Sequence, residues 1–162
     1  MRFGFILLAT SLVAITTAPA EAQVSPQASA SSRQLAPELR DAASVVGAFH
    51  RALQSGDKAA ALESLAPDAL VYEGGRIERD KAEYASHHLS ADAAFAAATK
   101  RIVMRQSGAA IGDMAWIASE AKTSGTYRDR AINSLSTETM VLRRTGDTWQ
   151  IVHIHWSSAD VK

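Results

Sequence analysis

Five histidines fall in three groups along the chain: His50, the pair His87-His88, and His153-Ile154-His155. Imidazole changes charge near neutral pH, so each group is a place for proton transfer or metal ligation. A His-x-His pair on a strand presents two rings on one face, a spacing that copper and zinc sites use, with His87 or His88 as a further ligand. The competing reading, which is preferred, leaves His153 and His155 hydrogen-bonded on a sheet surface or at a dimer interface, and no metal or cofactor is expected. Met104, Met114 and Met140 read as core filler rather than soft copper ligands. Tyr84 and His88 are four residues apart and share a helix face, where they either gate a ligand or, in the preferred reading, pack against a sheet edge. The 162 residues contain no Cys, no Gly-rich phosphate loop and no Ser nucleophile motif, so nucleophilic catalysis by thiol or activated hydroxyl has no support.

The elements that position these side chains follow from pattern. Residues 1–22 read as a secretory signal: Arg2 is the charged n-region, Phe3 to Ile15 the apolar h-region, and Ala20-Glu21-Ala22 the cleavage site. The apolar run is shorter than a membrane span needs. The expected location is therefore periplasmic or secreted, with no membrane contact after cleavage. Residues 23–36 are rich in Ser, Ala and Gln and read as a flexible linker. The domain runs over 37–160. Its 17 basic and 17 acidic residues in the full chain leave no electrostatic footprint for nucleic acid.

Within the domain, Leu39, Val46, Phe49 and Leu53 recur at helical spacing from a start near Pro37 to a stop at Gly56. A short helix over Lys58 to Leu65 follows with Asp57 as its cap, then a strand over Ala69 to Glu73 turned by Gly74-Gly75. Asp80 to Ala98 is helical, broken near Ser90-Ala91-Asp92. Four strands complete the chain: Arg101 to Ile111, Met114 to Tyr127, Ala131 to Arg144 and Thr148 to Ser157. Helices first and an antiparallel meander second give an α+β fold with helices packed on one face of a curved sheet.

This order of elements resembles the NTF2-like superfamily, which includes SnoaL-like cyclases, ketosteroid isomerases and the domain of unknown function numbered 4440. The segment SGDKAAALESLAPDALVYE, ending at Glu73, is similar to the isomerase stretch that ends on the catalytic carboxylate. The segment STETMVLRRTGDTWQIVHIHWSS, Ser136 to Ser158, is similar to the last hairpin of calcium/calmodulin-dependent kinase association domains. The resemblance covers about Leu39 to Ser158 and implies a cone-shaped fold with a strongly curved antiparallel sheet.

If Glu73 points into the cone as the isomerase base does, alternation adds Val71 to the interior and turns Tyr72 away. The matching inward sets are Trp116, Ala118 and Glu120; Glu138, Met140 and Leu142; and Val152, Ile154 and Trp156. By the same alternation Trp149 packs with Ile151 on the outer face. Such a pocket is mainly apolar and suits a small apolar ligand. Glu73 is then a general base, its pKa raised beside Trp116 and Trp156, or else a solvated strand end. His50 tilts toward the cone mouth as a proton shuttle, or lies on the solvent side of its helix. The family's oxyanion donors are missing, since their positions hold Phe49 and Met140. Glu138 pairs with Glu73, with a basic group of a ligand, or with an Arg or Lys across the sheet.

These residues imply an exported domain that binds a small, mostly apolar ligand through Trp116, Glu138, Met140, Trp156, Tyr84 and His88. Glu73 and His50 would carry isomerase- or hydratase-type acid/base chemistry. A homodimer through the curved sheet is expected. The alternative is a non-catalytic dimeric binding or assembly module, copper- or zinc-responsive through its surface histidines.

Overall fold

The computed structural model describes residues 39–161. The signal peptide and linker readings therefore lie outside the described residues. Helix α1 (Arg40–Ser55) buries Ala42, Val46, Phe49, Ala52 and Leu53, the stripe that the helical spacing predicts. Gly56 closes it at φ 74°, a left-handed conformation that a Cβ disfavours. Asp57 caps α2 (Lys58–Glu63) by accepting from the Ala60 amide at 3.0 Å.

Strand β1 (Leu65–Glu73) begins four residues earlier than its apolar run predicts, and β2 (Arg76–Glu78), too short to read from pattern, pairs with it. Asp80 caps α3 (Lys81–His87) through the Glu83 amide at 2.8 Å. The helical break falls at His88, before α4 (Leu89–Ala98), and not at Ser90-Ala91-Asp92. The long strands β3 (Thr99–Ile111), β4 (Met114–Tyr127), β5 (Arg130–Thr145) and β6 (Thr148–Asp160) follow as an antiparallel meander.

The six strands form one sheet in the order β2-β1-β6-β5-β4-β3. The β1–β6 pair is parallel, which makes the sheet mixed, because the long return from β1 through the helices brings β6 back beside it. Helix α1 packs against β4 and β6, and the buried side chains of helices and sheet form one core. Among the described residues no helix is long and apolar enough to cross a membrane.

A bulge on β6 sets which of its side chains face the helices. Val141 pairs with His153 and Leu142 with Ile151, so Val152 is an extra residue on β6. The phase change turns Trp149 and Ile151 into the core, against the expected outer face, and replaces Val152 by Ile151 on the inner one. On β4 the inward residues are Ala115, Ile117, Ser119, Ala121 and Thr123; Trp116, Ala118 and Glu120 face outward, which corrects the alternation read from sequence. Opposite Ile117 stands Gly108, where an added Cβ would lie 2.4 Å from the Trp116 carbonyl and 3.3 Å from Leu39. A side chain at Gly108 would meet the β4 backbone, and the paired inward residue, Ile117, is buried in the core with Leu39.

Candidate functional site

Across the concave face the register lays out rows of side chains. One row, Ile117, Met140, Ile154 and Val71, is apolar and ends at Glu78 on β2. The next row toward the open end is Gln106, Ser119, Glu138, Trp156 and Glu73. The passage from hydrocarbon to polar groups within one residue pair along the strands marks the position where a ligand with an apolar body and a polar end would be oriented.

Glu138 is 4% exposed and is surrounded by donors. The Trp156 indole Nε1–H donates to Oε2 at 2.7 Å, and Arg101 Nη2 donates to Oε1 at 3.3 Å. His50 Nε2 lies 2.7 Å from Oε2, off the line of a well-formed hydrogen bond. Burial alone would raise the carboxyl pKa. The contact and charge of His50, the charge of Arg101 and the indole outweigh it, and the net shift is downward. Glu138 is thus held ionised. Its partners come from three elements: His50 from α1, Arg101 from β3 and Trp156 from β6. Phe49 stacks on Trp156 at 6.2 Å between centroids and meets His50 edge-on at 5.8 Å, forming the apolar wall beneath.

A second cluster lies where β1, β2, α3 and α4 meet. Glu78, 4% exposed, takes His87 Nδ1 on Oε2 at 3.0 Å and His88 Nδ1 on Oε1 in a shorter contact. Arg76 Nη1 stands 3.5 Å from the other nitrogen of His88. Tyr84 is fully buried and donates its hydroxyl to Asp92 Oδ2 at 2.9 Å. Burial raises the pKa of Asp92 despite the Tyr84 hydrogen bond and the charge of His88, which favour ionisation. Glu73 shares the upward shift. Its residue surface is open at the sheet edge, yet loss of water around the carboxyl and the charge of Asp92 outweigh the pull of His88 and Arg76.

The expected site residues are placed as follows. His50, Glu138, Met140, Trp156 and Glu73 all belong to the concave side, with His50 turned toward Glu138 and not to solvent. Met140 is wholly buried under the polar row. Trp116 is removed from the pocket, 42% exposed on the convex face. Tyr84 is core and does not gate, and His88 is tied to Glu78. His153 and His155 lie on the convex side with Tyr72 edge-on to both rings. Among the described residues no group of three or more His, Cys, Asp or Glu is arranged to hold a metal ion.

Sequence reasoning missed Arg101, Asp92 and Glu78. Asp92 had a signal: Tyr84, His88 and Asp92 continue one i, i+4 series, which the sequence reading stopped one step short. Arg101 is the cross-sheet Arg or Lys expected as a partner of Glu138, though no signal singled it out, and Glu78 had none, because it reaches its partners only through the edge pairing of the sheet.

Residues 42–161 match the SnoaL-like domain family. A candidate ketosteroid isomerase from Shewanella frigidimarina is 37% identical, with a TM-score of 0.72 over 76% of this chain and 100% of the other. A candidate dehydratase of the NTF2-like family from Streptomyces avermitilis is 16% identical at TM-score 0.65, over 77% of this chain and 96% of that one. A calcium/calmodulin-dependent kinase II association-domain candidate from Xanthomonas campestris is 15% identical at TM-score 0.64, over 74% and 86%. The last two identities speak to the fold alone. No functionally curated protein matches the chain.

Proposed function

The chain belongs to the SnoaL-like domain family, within the NTF2-like fold, and from that premise we propose that it binds a small, mostly apolar carbonyl compound in its concave face and moves a proton on it. The observation that carries this reading is one row of side chains holding two carboxylates whose surroundings push their pKa values in opposite directions. Such a divergence separates a group that exchanges protons from one that stays charged. Glu73 is the proton acceptor, taking a proton from the carbon next to the carbonyl while the C–H electron pair passes toward the carbonyl oxygen. Glu138 keeps its charge and aims His50. Phe49 and Met140 cannot donate a hydrogen bond to a developing oxyanion, and Arg101, which commits only Nη2 to Glu138, has further N–H groups to supply in their place. The 37% identical relative, itself a candidate ketosteroid isomerase, supports the same reaction class.

The test is deuterium uptake from D₂O by apolar cyclic enones, followed by proton NMR. Glu73→Gln should abolish uptake while a thermal shift with the same enone persists. Uptake at the wild-type rate in Glu73→Gln would overturn the assignment.

A second reading concerns assembly. The convex face exposes Tyr72, Met104, Met114, Trp116 and Leu135, which favours a homodimer formed sheet to sheet. Trp116→Glu should halve the mass seen by light scattering; an unchanged mass would dismiss this face. The signal pattern in residues 1–22 supports export, with the mature chain starting at Gln23, and mass analysis of exported protein tests it.

A further inference from the structure

The convex face carries one pair of titratable rings in an otherwise uncharged middle. His153 lies between Val141 and Leu70, with Trp116 beyond Val141, and His155 lies between Thr139 and Tyr72. The two imidazole centroids are 6.4 Å apart, and Tyr72 meets His153 edge-on at 4.9 Å. Both histidines are on β6, so they stand between the exposed indole on β4 and the exposed phenol on β1, and whatever covers both aromatic groups covers the pair. Nδ1 of His153 is already buried, and no well-formed hydrogen bond satisfies it among the described residues. Burial lowers the pKa of this ring; the Leu70 backbone pulls the other way, and charge on His155 lowers it further. Fixed charge is confined to the two ends of the face. At one end Glu120 pairs with Arg105 at 3.7 Å and Lys122 follows further out, and at the other Arg143 pairs with Asp68 at 2.8 Å. Each end holds both signs, so a second copy laid face to face sets a mixed end against a mixed end whichever way its strands run. That self-complementarity makes a second copy of this chain the occupant.

We infer that His153 and His155 are an acid-operated release for a face-to-face homodimer of this chain. The inference rests on the assembly reading given above. A two-fold interface repeats each contact, so the pair from one copy and the pair from the other enter one layer, from which Trp116 and Tyr72 exclude water. A proton on any of these rings puts a charge in that layer with no carboxylate to meet it. The flanking side chains from β5 and β1 are Val141, Thr139, Leu70 and Tyr72, Glu138 faces the opposite side of the sheet, and Glu120 and Asp68 are committed to arginines. In separate copies the same rings face water, which solvates the charged form. The monomer therefore binds more protons than the dimer, and association weakens as pH falls through the imidazole range.

Sedimentation velocity of the protein at pH 7.5 and pH 5.5 gives the dimer dissociation constant, with far-UV circular dichroism to show that the fold persists at both. The constant should rise at least about tenfold in acid, since each like-charge contact in a water-poor layer is worth that much. In the protein carrying both His153→Phe and His155→Phe the dimer should remain and the constant should change less than about twofold. Three results would overturn the release: a wild-type dimer equally tight at both pH values, a folded double variant that is already monomeric at pH 7.5, or one that keeps the full dependence, which would pass the effect to His50, His87 or His88. Should the double variant not fold, His155→Phe alone, at an exposed position, should remove about half of the slope of log Kd against pH, and an unaltered slope would count against the pair. A wild-type protein monomeric at pH 7.5, or a dimer that Trp116→Glu leaves intact, defeats the assembly reading itself, whereas a Trp116-dependent dimer indifferent to pH defeats the release alone.

Discussion

The two polar clusters solve the same problem, a carboxylate taken out of water, in opposite ways. Around Glu138 two hydrogen-bond donors and the His50 ring, from three separate elements, converge, and the pKa falls although the group is 4% exposed. Around Glu73 and Asp92 the carboxylates outnumber the hydrogen bonds given to them among the described residues. Asp92 has one Tyr84 hydroxyl, and the pKa of each carboxyl rises. Burial enters both balances with the same sign. What decides the outcome is the number of donors, and donors are expensive to assemble: the Glu138 set needs α1, β3 and β6 in register before it exists. The first cluster is therefore a structural anchor that also holds His50 against Glu138, and the second raises its carboxyl pKa values by burial that few hydrogen bonds offset.

The largest effect should come from unbalancing the anchor. Glu138→Gln keeps the shape but leaves Arg101 without a counter-charge, and breaking such a buried pair costs about 3 kcal/mol. In a domain of this size the melting temperature should fall by about 10 °C in a thermal scan. A change of only a degree or two would mean that Arg101, Trp156 and His50 are held by packing and not by Glu138. Next comes Trp156→Phe, which preserves the stacking on Phe49 and removes a single donor to a charged acceptor, at about 1.5–2 kcal/mol. Urea unfolding of the single and double variants would show whether the indole and the carboxylate act as one unit, since coupled partners are not additive.

Much of the scaffold was legible before any coordinates. The α1 stripe ended by Gly56, the Asp57 cap and the four long strands follow from spacing and turn chemistry, and the structure bears them out. The site was legible where it depends on alternation counted from a fixed point: Glu138, Met140 and Trp156 share a face as expected. It failed where a bulge intervenes or where both faces of a strand carry apolar residues. On β4 both alternating sets contain apolar residues, so the large indole of Trp116 pulled the reading to the wrong face, while the buried set is Ala115, Ile117, Ser119, Ala121 and Thr123. Trp149 was misplaced by Val152, an extra residue with no local signature. Glu78 was invisible because a three-residue edge strand has too few positions to show a period.

The smallest effect should have the opposite sign, and it tests the contrast most sharply. A carboxyl whose folded pKa lies above its unfolded value destabilises the fold once it ionises. Stability falls as pH rises from the unfolded pKa through the folded one and then levels off. Asp92→Asn retains an acceptor for Tyr84 and cannot ionise, so it should raise the melting temperature by a few degrees at pH 7 and have little effect near pH 4. Glu138 has the reverse dependence. Its pKa is lowered in the fold, so its stabilisation is present above the ordinary glutamate range and is lost as pH falls through the folded value. The Asp92→Asn and Glu138→Gln proteins, scanned from pH 3 to 8, should therefore depart from wild type in opposite directions at neutral pH and converge on it in acid. Two curves displaced in the same direction at pH 7 would show that donor supply does not separate the clusters, and with that the division between an anchoring carboxylate and a proton-exchanging one would be lost.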